Sequence, residues 1–329
     1  MTRRGIVKTR LTSLLQIKRP IIQGGLAYLA YADLAAAVSR AGGLGQITAM
    51  SLSSSSELER EINKVYEQTD QPFGVNFAIG QHGRPYEEML EVAIEKKVPV
   101  ISMTGGNPQP LLERLQGTGT ATLVLVSSVR QAQKAEALGA DAVMAVGQEG
   151  GGHLGRDDTG TMVLIPRVVD AVSIPVAASG GIGDGRGLLA ALALGADGIE
   201  MGTRFIATKE CLHAHQAYQS LILQGSENDT VVIKRTLGAP ARALDTRTTR
   251  LILEKEGQGA TYDHLQPLIS GQTNKKLIHE GHIDEGFGWA GQVIGMIDDV
   301  PSVADLLERM EEEAQARVKR CQEAVDNNG

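Results

Sequence analysis

Residues 174–205, IPVAASGGIGDGRGLLAALALGADGIEMGTRF, contain two apolar segments that each end in small residues. Residues 174–178 predict a strand that ends at Ser179-Gly180-Gly181, and residues 198–201 predict a strand that ends at Gly202-Thr203. A helical pattern over residues 184–194 lies between them, so the two strands are predicted to be parallel and both loops to lie at one end of the sheet. Their backbone N–H groups and hydroxyls suit a phosphate better than they suit simple tight turns, because the pattern occurs on two consecutive strands.

The alternation of strand and helix extends over the first two thirds of the chain. It indicates parallel strands in either a closed barrel or a doubly wound sheet. The motif ALGADAV at Ala137 returns as ALGADGI at Ala193, an offset of 56 residues or two strand–helix units. Repetition every two units fits the alternation of odd and even strands around a barrel, so we predict an α/β protein with a (β/α)8 TIM-barrel fold. The predicted strands are residues 21–23, 44–48, 74–77, 98–103, 121–126, 142–146, 174–178 and 198–201.

The pattern changes after residue 206. We expect residues 1–206 to form the barrel core, and residues 207–329 to form C-terminal helices and a lid that complete the barrel and cover the active site. Within the second part, residues 234–250 contain five basic side chains (Lys234, Arg235, Arg242, Arg247 and Arg250) and one acidic side chain, Asp245. The charges of this basic stretch fit a solvated face, and they fit equally well a lid that contacts an anionic ligand.

The composition argues against several classes of protein. A formal net charge of −7 disfavours nucleic acid as a partner. The chain has no apolar run of membrane-spanning length, and its basic N-terminal residues lack the apolar core of a secretory signal. Two cysteines, Cys211 and Cys321, cannot form a disulfide framework, so we expect a cytoplasmic protein without a membrane partner.

His153 is the candidate catalytic residue, and it lies in the glycine-rich loop GQEGGGHLGRDD that begins at Gly147. Gly150 to Gly155 match the dinucleotide pattern G-x-G-x-x-G, but residues 156–160 are polar and turn-like, so no helix is predicted to begin there. A lone histidine is more often structural. An imidazole on a flexible loop at the C-terminal end of a barrel strand, with an ordinary pKa of about 6.5, can nevertheless transfer protons at neutral pH. No metal or nucleophile motif occurs, which favours an organic cofactor and no metal.

Two further segments could line a flat cofactor ring. The first predicted strand ends at Gly24-Gly25-Leu26, where the absence of side chains lets a ring approach the backbone. Asn76 ends the third predicted strand, and its amide can both donate and accept hydrogen bonds.

Six motifs together resemble the nitronate monooxygenase (2-nitropropane dioxygenase) family of FMN-dependent barrels. Relatives of that family include flavin-dependent enoyl-acyl-carrier-protein reductases and NADH:quinone reductases. The resemblance extends over about residues 9–325. The motifs are PIIQGG at Pro20, AGGLG at Ala41, FGVN at Phe73, GGH at Gly151, ASGGI at Ala178 and MGTRF at Met201.

The resemblance implies an FMN cofactor with its phosphate on the two loops of residues 179–181 and 202–203, and with His153 facing the substrate near flavin N5. The cofactor-binding residues that it implies are Gly24, Gly25, Leu26, Asn76, Gly151, Gly152, Ser179, Gly180, Gly181, Met201, Gly202 and Thr203.

Three functions remain open. The working hypothesis is oxidation of alkyl nitronates with O2 to carbonyl compounds and nitrite. In it, His153 removes the α-proton of a nitroalkane or, when protonated, stabilises the anion. The alternative is reduction of an enoyl thioester or a quinone by NAD(P)H, with an acyl carrier protein as partner in the thioester case. Gly24-Gly25-Leu26 and Arg204 resemble the reductases, whereas Leu125 replaces the lysine expected in quinone reductases. The third function is a non-catalytic sensor of a phosphorylated metabolite. Each of these functions involves a small molecule as substrate or ligand. The sequence leaves open whether the chain forms a homodimer.

Overall fold

The structure, a computed structural model, describes residues 8–80 and 85–326. Eight of its strands are parallel and form a nearly closed (β/α)8 barrel, which confirms the predicted fold class. The strands are β1 (Ile21–Gln23), β2 (Gly45–Thr48), β3 (Phe73–Ala78), β4 (Val100–Thr104), β5 (Ala121–Val126), β6 (Ala142–Val146), β7 (Gly152–His153), β8 (Val176–Ser179), β9 (Gly198–Met201), β10 (Thr230–Ile233) and β11 (Ala241–Leu244).

The barrel order is β1-β9-β8-β6-β5-β4-β3-β2, and a parallel bridge between Ile22 and Leu44 joins the first and last strands. The seventh strand of the barrel, β8, begins at Val176, two residues later than predicted. Pro175 has no N–H to donate, so ladder pairing of the backbone amides starts after it.

The helices fall into three groups: most surround the barrel, the first packs against its lower end, and four lie within residues 207–302. They are α1 (Arg10–Leu15), α2 (Ala32–Arg40), α3 (Ser55–Gln68), α4 (Glu87–Glu95), α5 (Gln109–Leu115), α6 (Val129–Ala137), α7 (Thr161–Val169), α8 (Gly185–Ala193), α9 (Thr203–Ile206), α10 (Gln216–Gln224), α11 (Arg247–Gly257), α12 (Tyr262–Ile269), α13 (Gly271–Ile278) and α14 (Val303–Asp326). None of these described helices is long and apolar enough to cross a membrane.

The repeated ALGAD motif has the same structural role in both places. Gly139 and Gly195, with φ of 88° and 92°, lie just after α6 and α8 in the left-handed conformation that favours glycine. The aspartate that follows binds the neighbouring strand, since Asp141 accepts from Thr122 N at 2.8 Å and Asp197 accepts from Val176 N at 3.1 Å. The sequence repeat therefore marks equivalent positions two strand–helix units apart.

The interior of the barrel is apolar below and polar above. Its lower part packs against α1 through Leu11, Leu15, Ile17, Ile22, Leu44, Val100, Leu123, Ala142, Met144 and Ala177. Side chains two positions further along a strand face the same way, so Ser179 follows Ala177 and Glu200 follows Gly198 at the C-terminal ends of β8 and β9. The strands therefore direct polar groups to one end of the barrel.

Residues 207–302, here called the lid, lie between β9 and α14. β10 and β11 in the lid form an antiparallel sheet with β7, which leaves the barrel mouth after β6. α14 returns to the barrel and packs against α8 and α2. The eighth helix of the ring thus follows the lid in the chain, and the lid lies over the mouth.

Candidate active site

A cavity of about 510 Å³ lies between the barrel mouth and the lid, a volume typical of sites for small molecules. Of the thirteen residues predicted for the site, all except Gly24 line this cavity. The lid adds residues that the sequence did not single out as site residues, among them Lys234, Tyr262, Asn274, Phe287 and Trp289. The tertiary fold therefore brings the separate motifs into one site.

The two glycine loops after β8 and β9 meet at one side of the cavity. Gly180 and Gly181 have φ of 92° and 74°, and in the described part of the chain neither amide donates to a backbone carbonyl. The hydroxyls, however, have protein partners: Ser179 Oγ donates to Glu200, and Thr203 Oγ1 accepts from Gly291 N at 3.0 Å. The loops therefore present backbone N–H groups as donors for an anion, more than the hydroxyls that the sequence suggested.

The glycines after β1 are required by close packing. A Cβ on Gly25 would overlap the side-chain amide of Asn76, and a Cβ on Gly24 would overlap the carboxyl group of Glu200. Asn76 Nδ2 donates to Ser102 Oγ at 2.9 Å and to Thr104 Oγ1 at 3.0 Å, which fixes the amide across the barrel mouth. Gly25 therefore lines the cavity without a side chain, whereas Gly24 leaves room for the carboxyl group of Glu200.

Glu200 is a functional candidate that the sequence analysis missed. Its carboxyl group is enclosed by the barrel, and burial raises its pKa, while the hydrogen bond from Ser179 opposes that effect. In the described residues no cation forms an ion pair with it. An acid at an inward-facing position at the end of a barrel strand was the available signal.

His153 is held in regular structure, whereas the sequence suggested a flexible loop. Gly152 and His153 form β7, which pairs with Arg242 and Ala241 of β11. Arg242 also donates to the carbonyl oxygen of Gln148, from Nε at 3.1 Å and from Nη2 at 3.0 Å. The lid therefore fixes the backbone of the candidate catalytic residue. The absence of a helix at this loop is confirmed, because α7 begins only at Thr161.

Lys234 of the lid contacts His153 directly. Lys234 Nζ lies 3.3 Å from His153 Nε2 and 5.2 Å from the ring centroid of Trp289. The lysine is only 8% exposed, and burial lowers its pKa to about 8 even though Glu256 favours the charged form. The imidazole of His153 also lies near Trp289, with ring centroids 5.9 Å apart. A cation, an imidazole and an indole thus share one wall of the cavity.

The four arginines of the basic stretch do not line the cavity. Arg235 pairs with Asp158, Arg250 pairs with Asp245, and Arg247 is exposed. Of the five cations in the basic stretch, Lys234 is the one that lines the cavity. Arg204 does not line it either. It is buried and binds Asp299 and the carbonyl oxygen of Ala207, which makes it a structural residue at the end of β9.

Neither a metal cluster nor a reactive thiol is found at the cavity. Among the described residues no group of three or more histidine, cysteine or acidic side chains could hold a metal ion. Cys211 is buried, and burial raises the pKa of its thiol to about 12, so it remains protonated at neutral pH.

Known proteins match this chain over nearly its whole length. The family model for nitronate monooxygenase matches residues 8–313. A probable nitronate monooxygenase of Staphylococcus saprophyticus is 34% identical, with 95% of this chain and 99% of that protein covered.

Two solved structures are also similar. FabK from Thermotoga maritima is 38% identical with a TM-score of 0.89, covering 97% of this chain and 99% of that one. A nitroalkane oxidase from Streptomyces ansochromogenes is 30% identical with a TM-score of 0.80, covering 94% and 99%.

These comparisons confirm the resemblance stated from the six motifs. They also confirm that the chain is an oxidoreductase enzyme, which acts on a small-molecule substrate. Since the family and these structural neighbours are flavin enzymes, the cavity is a candidate flavin site. The chain belongs to the nitronate monooxygenase family.

Proposed function

We propose that this enzyme binds FMN and oxidises alkyl nitronates with O2 to carbonyl compounds and nitrite. The observation that carries the proposal is the position of His153, which the β7–β11 pairing fixes at the wall of the cavity that also contains the two glycine loops. The family membership supports the reaction class, and the similarity to a nitroalkane oxidase supports the substrate class.

The residues of the cavity fit the cofactor. The backbone N–H groups of Gly180 and Gly181, together with residues 202–203 in the loop after β9, would hold one phosphate group. Gly25, Leu26 and Asn76 would form the surface for the ring, whereas Gly24 does not line the cavity. No second phosphate site of the dinucleotide type follows Gly150–Gly155, because α7 begins six residues after Gly155. One phosphate site favours FMN over FAD.

Gly151, Gly152 and Met201 line the same cavity, and we assign them to the cofactor side of it. A Cβ on Gly151 would come within 3.0 Å of the backbone at Ala290 and Gly291, so this glycine lets the loop of His153 pack against the lid. When bound, the flavin supplies the electron transfer that the protein side chains cannot supply.

His153 would move the proton in this reaction. Lys234 Nζ lies 3.3 Å from its Nε2, so the imidazole and the amine share one wall of the cavity. A neutral imidazole can accept the α-proton of a nitroalkane, and a positioned base of this kind typically contributes about 10²–10⁴-fold in rate. Trp289 of the lid lines the same wall.

The test compares two reactions of the purified holoenzyme. We expect rapid nitrite release from a primary alkyl nitronate in air, and we expect the cofactor released by heat to be FMN. Slow or absent nitrite release with the flavin in place would contradict the nitronate assignment. FAD in the released material would contradict the assignment of the phosphate site.

A reductase that uses NAD(P)H is the second candidate, and the similarity to FabK favours it. An enoyl thioester would be its acceptor, with an acyl carrier protein as the partner. The contacts of Arg235, Arg242 and Arg250 weaken the expectation that the basic stretch grips a nicotinamide pyrophosphate. Fast reduction of the bound flavin by NADH or NADPH without O2, beside negligible nitrite release, would establish the reductase.

A further inference from the structure

We propose that Lys234 is the residue that binds the anionic group of the substrate beside His153. The inference rests on the proposed function and assigns the substrate's negative charge to one side chain. Of the five basic side chains in residues 234–250, Lys234 lines the cavity and the four arginines do not.

The backbone conformation at Lys234 directs its side chain to the cavity. Lys234 has φ of 63°, a left-handed conformation that is unfavourable for a residue with a Cβ. The carboxylate of Glu256 holds this conformation, since it accepts from Lys234 N at 2.8 Å and from Thr236 N at 3.0 Å. Glu256 is itself buried, so the turn is fixed by α11 rather than by solvent. A strained position that neighbours maintain is a common feature of functional sites.

The charge on Lys234 is not neutralised by a carboxylate in the described residues. Both oxygens of Glu256 are engaged by the turn, and no ion pair to Lys234 Nζ occurs within 4.0 Å there. The contacts of Nζ on the cavity side are His153 Nε2 and the face of Trp289. An ammonium has three donors, so Lys234 beside one imidazole and one aromatic face retains donors for an anion.

The chemistry of the ligand follows from these groups. A nitronate carries its negative charge on two oxygen atoms in a plane, and its α-carbon lies one bond away from the nitrogen. An ammonium that binds one of these oxygens leaves the carbon on the side of His153, whose Nε2 is 3.3 Å from Nζ. Lys234 would therefore both select anions and orient the carbon that reacts.

Acetate is a suitable probe for this site, because it is a planar anion with two equivalent oxygens and it does not react. Trp289 is the single tryptophan of the chain and lies against Lys234, so the intrinsic fluorescence of the holoenzyme reports on binding there. We expect Lys234→Met to weaken acetate binding about ten- to a hundredfold, and to raise KM for the nitronate similarly, because one charge-assisted contact is lost. KM for the neutral nitroalkane should change little.

Lys275→Met is the matched control. Lys275 also lies over an aromatic ring, with Nζ 4.4 Å from the centroid of Tyr28, but it does not line the cavity. This control should retain acetate affinity and nitronate KM. Equal acetate affinity in wild type and Lys234→Met would overturn the proposal.

The pH dependence of wild type gives a second measurement, and a wild-type acetate affinity that stays constant as the pH rises through about 8 would overturn the assignment without use of a variant. Burial lowers the pKa of Lys234 to about 8, so acetate affinity should be constant below that pH and fall as the pH rises through it. Other titratable groups at the cavity are His153, Glu149, Glu200 and Tyr262, with Glu256 behind the lysine. A fall caused by those groups would persist in Lys234→Met, and that result would overturn the assignment.

The two proposals fail in different ways. If the nitronate function is wrong, wild type releases no nitrite, yet acetate binding still depends on Lys234. If the assignment of Lys234 is wrong, wild type releases nitrite, and Lys234→Met has an unchanged KM for the nitronate.

Discussion

Arg242 of the lid donates two hydrogen bonds to the main-chain carbonyl oxygen of Gln148, which follows the sixth barrel strand by two residues. Its third contact, from Nη1 to Thr230 Oγ1 at 3.1 Å, crosses to β10. One guanidinium therefore joins both lid strands to the loop that carries His153. The basic stretch acts here as a structural connection between lid and barrel.

We predict that Arg242→Ala lowers kcat and stability without a specific effect on pyridine-nucleotide binding. The variant leaves the carbonyl oxygen of Gln148 without its donor and releases the strand of His153. Hydrogen bonds from a charged group contribute about 1.5–3 kcal/mol, so the free energy of unfolding should fall by that order. Chemical denaturation and steady-state kinetics measure the two effects. Arg250→Ala, which removes an exposed ion pair with Asp245, should change both by little.

We predict that His153→Ala retains the flavin and loses turnover by about 10²–10⁴-fold. The imidazole lies on β7, whereas the proposed phosphate site lies on the loops after β8 and β9, so cofactor binding should not depend on it. Absorbance of the purified variant gives the flavin content, and nitrite release gives the rate. Wild-type kcat/KM in this variant would remove His153 from the mechanism, and a colourless variant would show that it is structural.

We predict that Gly25→Ala folds but binds much less flavin. The added Cβ would overlap the amide of Asn76, which cannot move freely because it donates to Ser102 and Thr104. The floor of the cavity would therefore change at the place proposed for the ring. Flavin content per protein and the melting temperature are the measurements.

Gly257→Ala is the control for that experiment. Gly257 ends α11, and a Cβ there meets no atom within 4 Å. Alanine at this position should leave the flavin content at the wild-type level. Full flavin content in Gly25→Ala would show that the ring does not lie against this glycine.

We predict that Glu200→Gln stabilises the protein at neutral and alkaline pH and has little stabilising effect in acid. Burial raises the pKa of Glu200 in the folded state, so the carboxyl group contributes its full stability below the pKa of an unfolded glutamate, which is about 4.3. That contribution is lost as the pH rises through the folded pKa, because ionisation of a buried acid without a cation is unfavourable. A glutamine side chain does not ionise, so the variant does not lose stability in this way.

Melting temperatures of the apoprotein between pH 4 and pH 9 measure this difference. The advantage of Glu200→Gln over wild type should grow as the pH rises above about 4.3 and level off once the folded carboxyl group is ionised. A difference that is constant with pH would show that Glu200 titrates normally in the folded protein.

Most of the barrel could be predicted from local sequence patterns. The eight strands follow from apolar runs that end in glycine or small polar residues, and the repeated ALGAD motif indicates a barrel because helix end and strand anchor recur at equal spacing. The position of His153 at the C-terminal end of a strand could also be read directly, since parallel strands bring all such ends to one side.

The lid could not be derived in the same way, because its contacts join residues that are distant in the chain. The pairing of Gly152 with Arg242 and the contact of Lys234 with His153 span 90 and 81 residues, and no local periodicity encodes them. For the same reason the basic stretch was ambiguous, since charge alone does not distinguish a solvated arginine from a buried lysine.

The sequence by itself determined the barrel, its glycine loops and the candidate base, because strand, helix and turn preferences act between near neighbours. The tertiary structure decided which polar groups share the cavity. Burial is a property of the whole fold, and it turned Glu200 into an acid with a raised pKa and Lys234 into an amine with a pKa of about 8. The same two side chains in solvent would be ordinary charged residues.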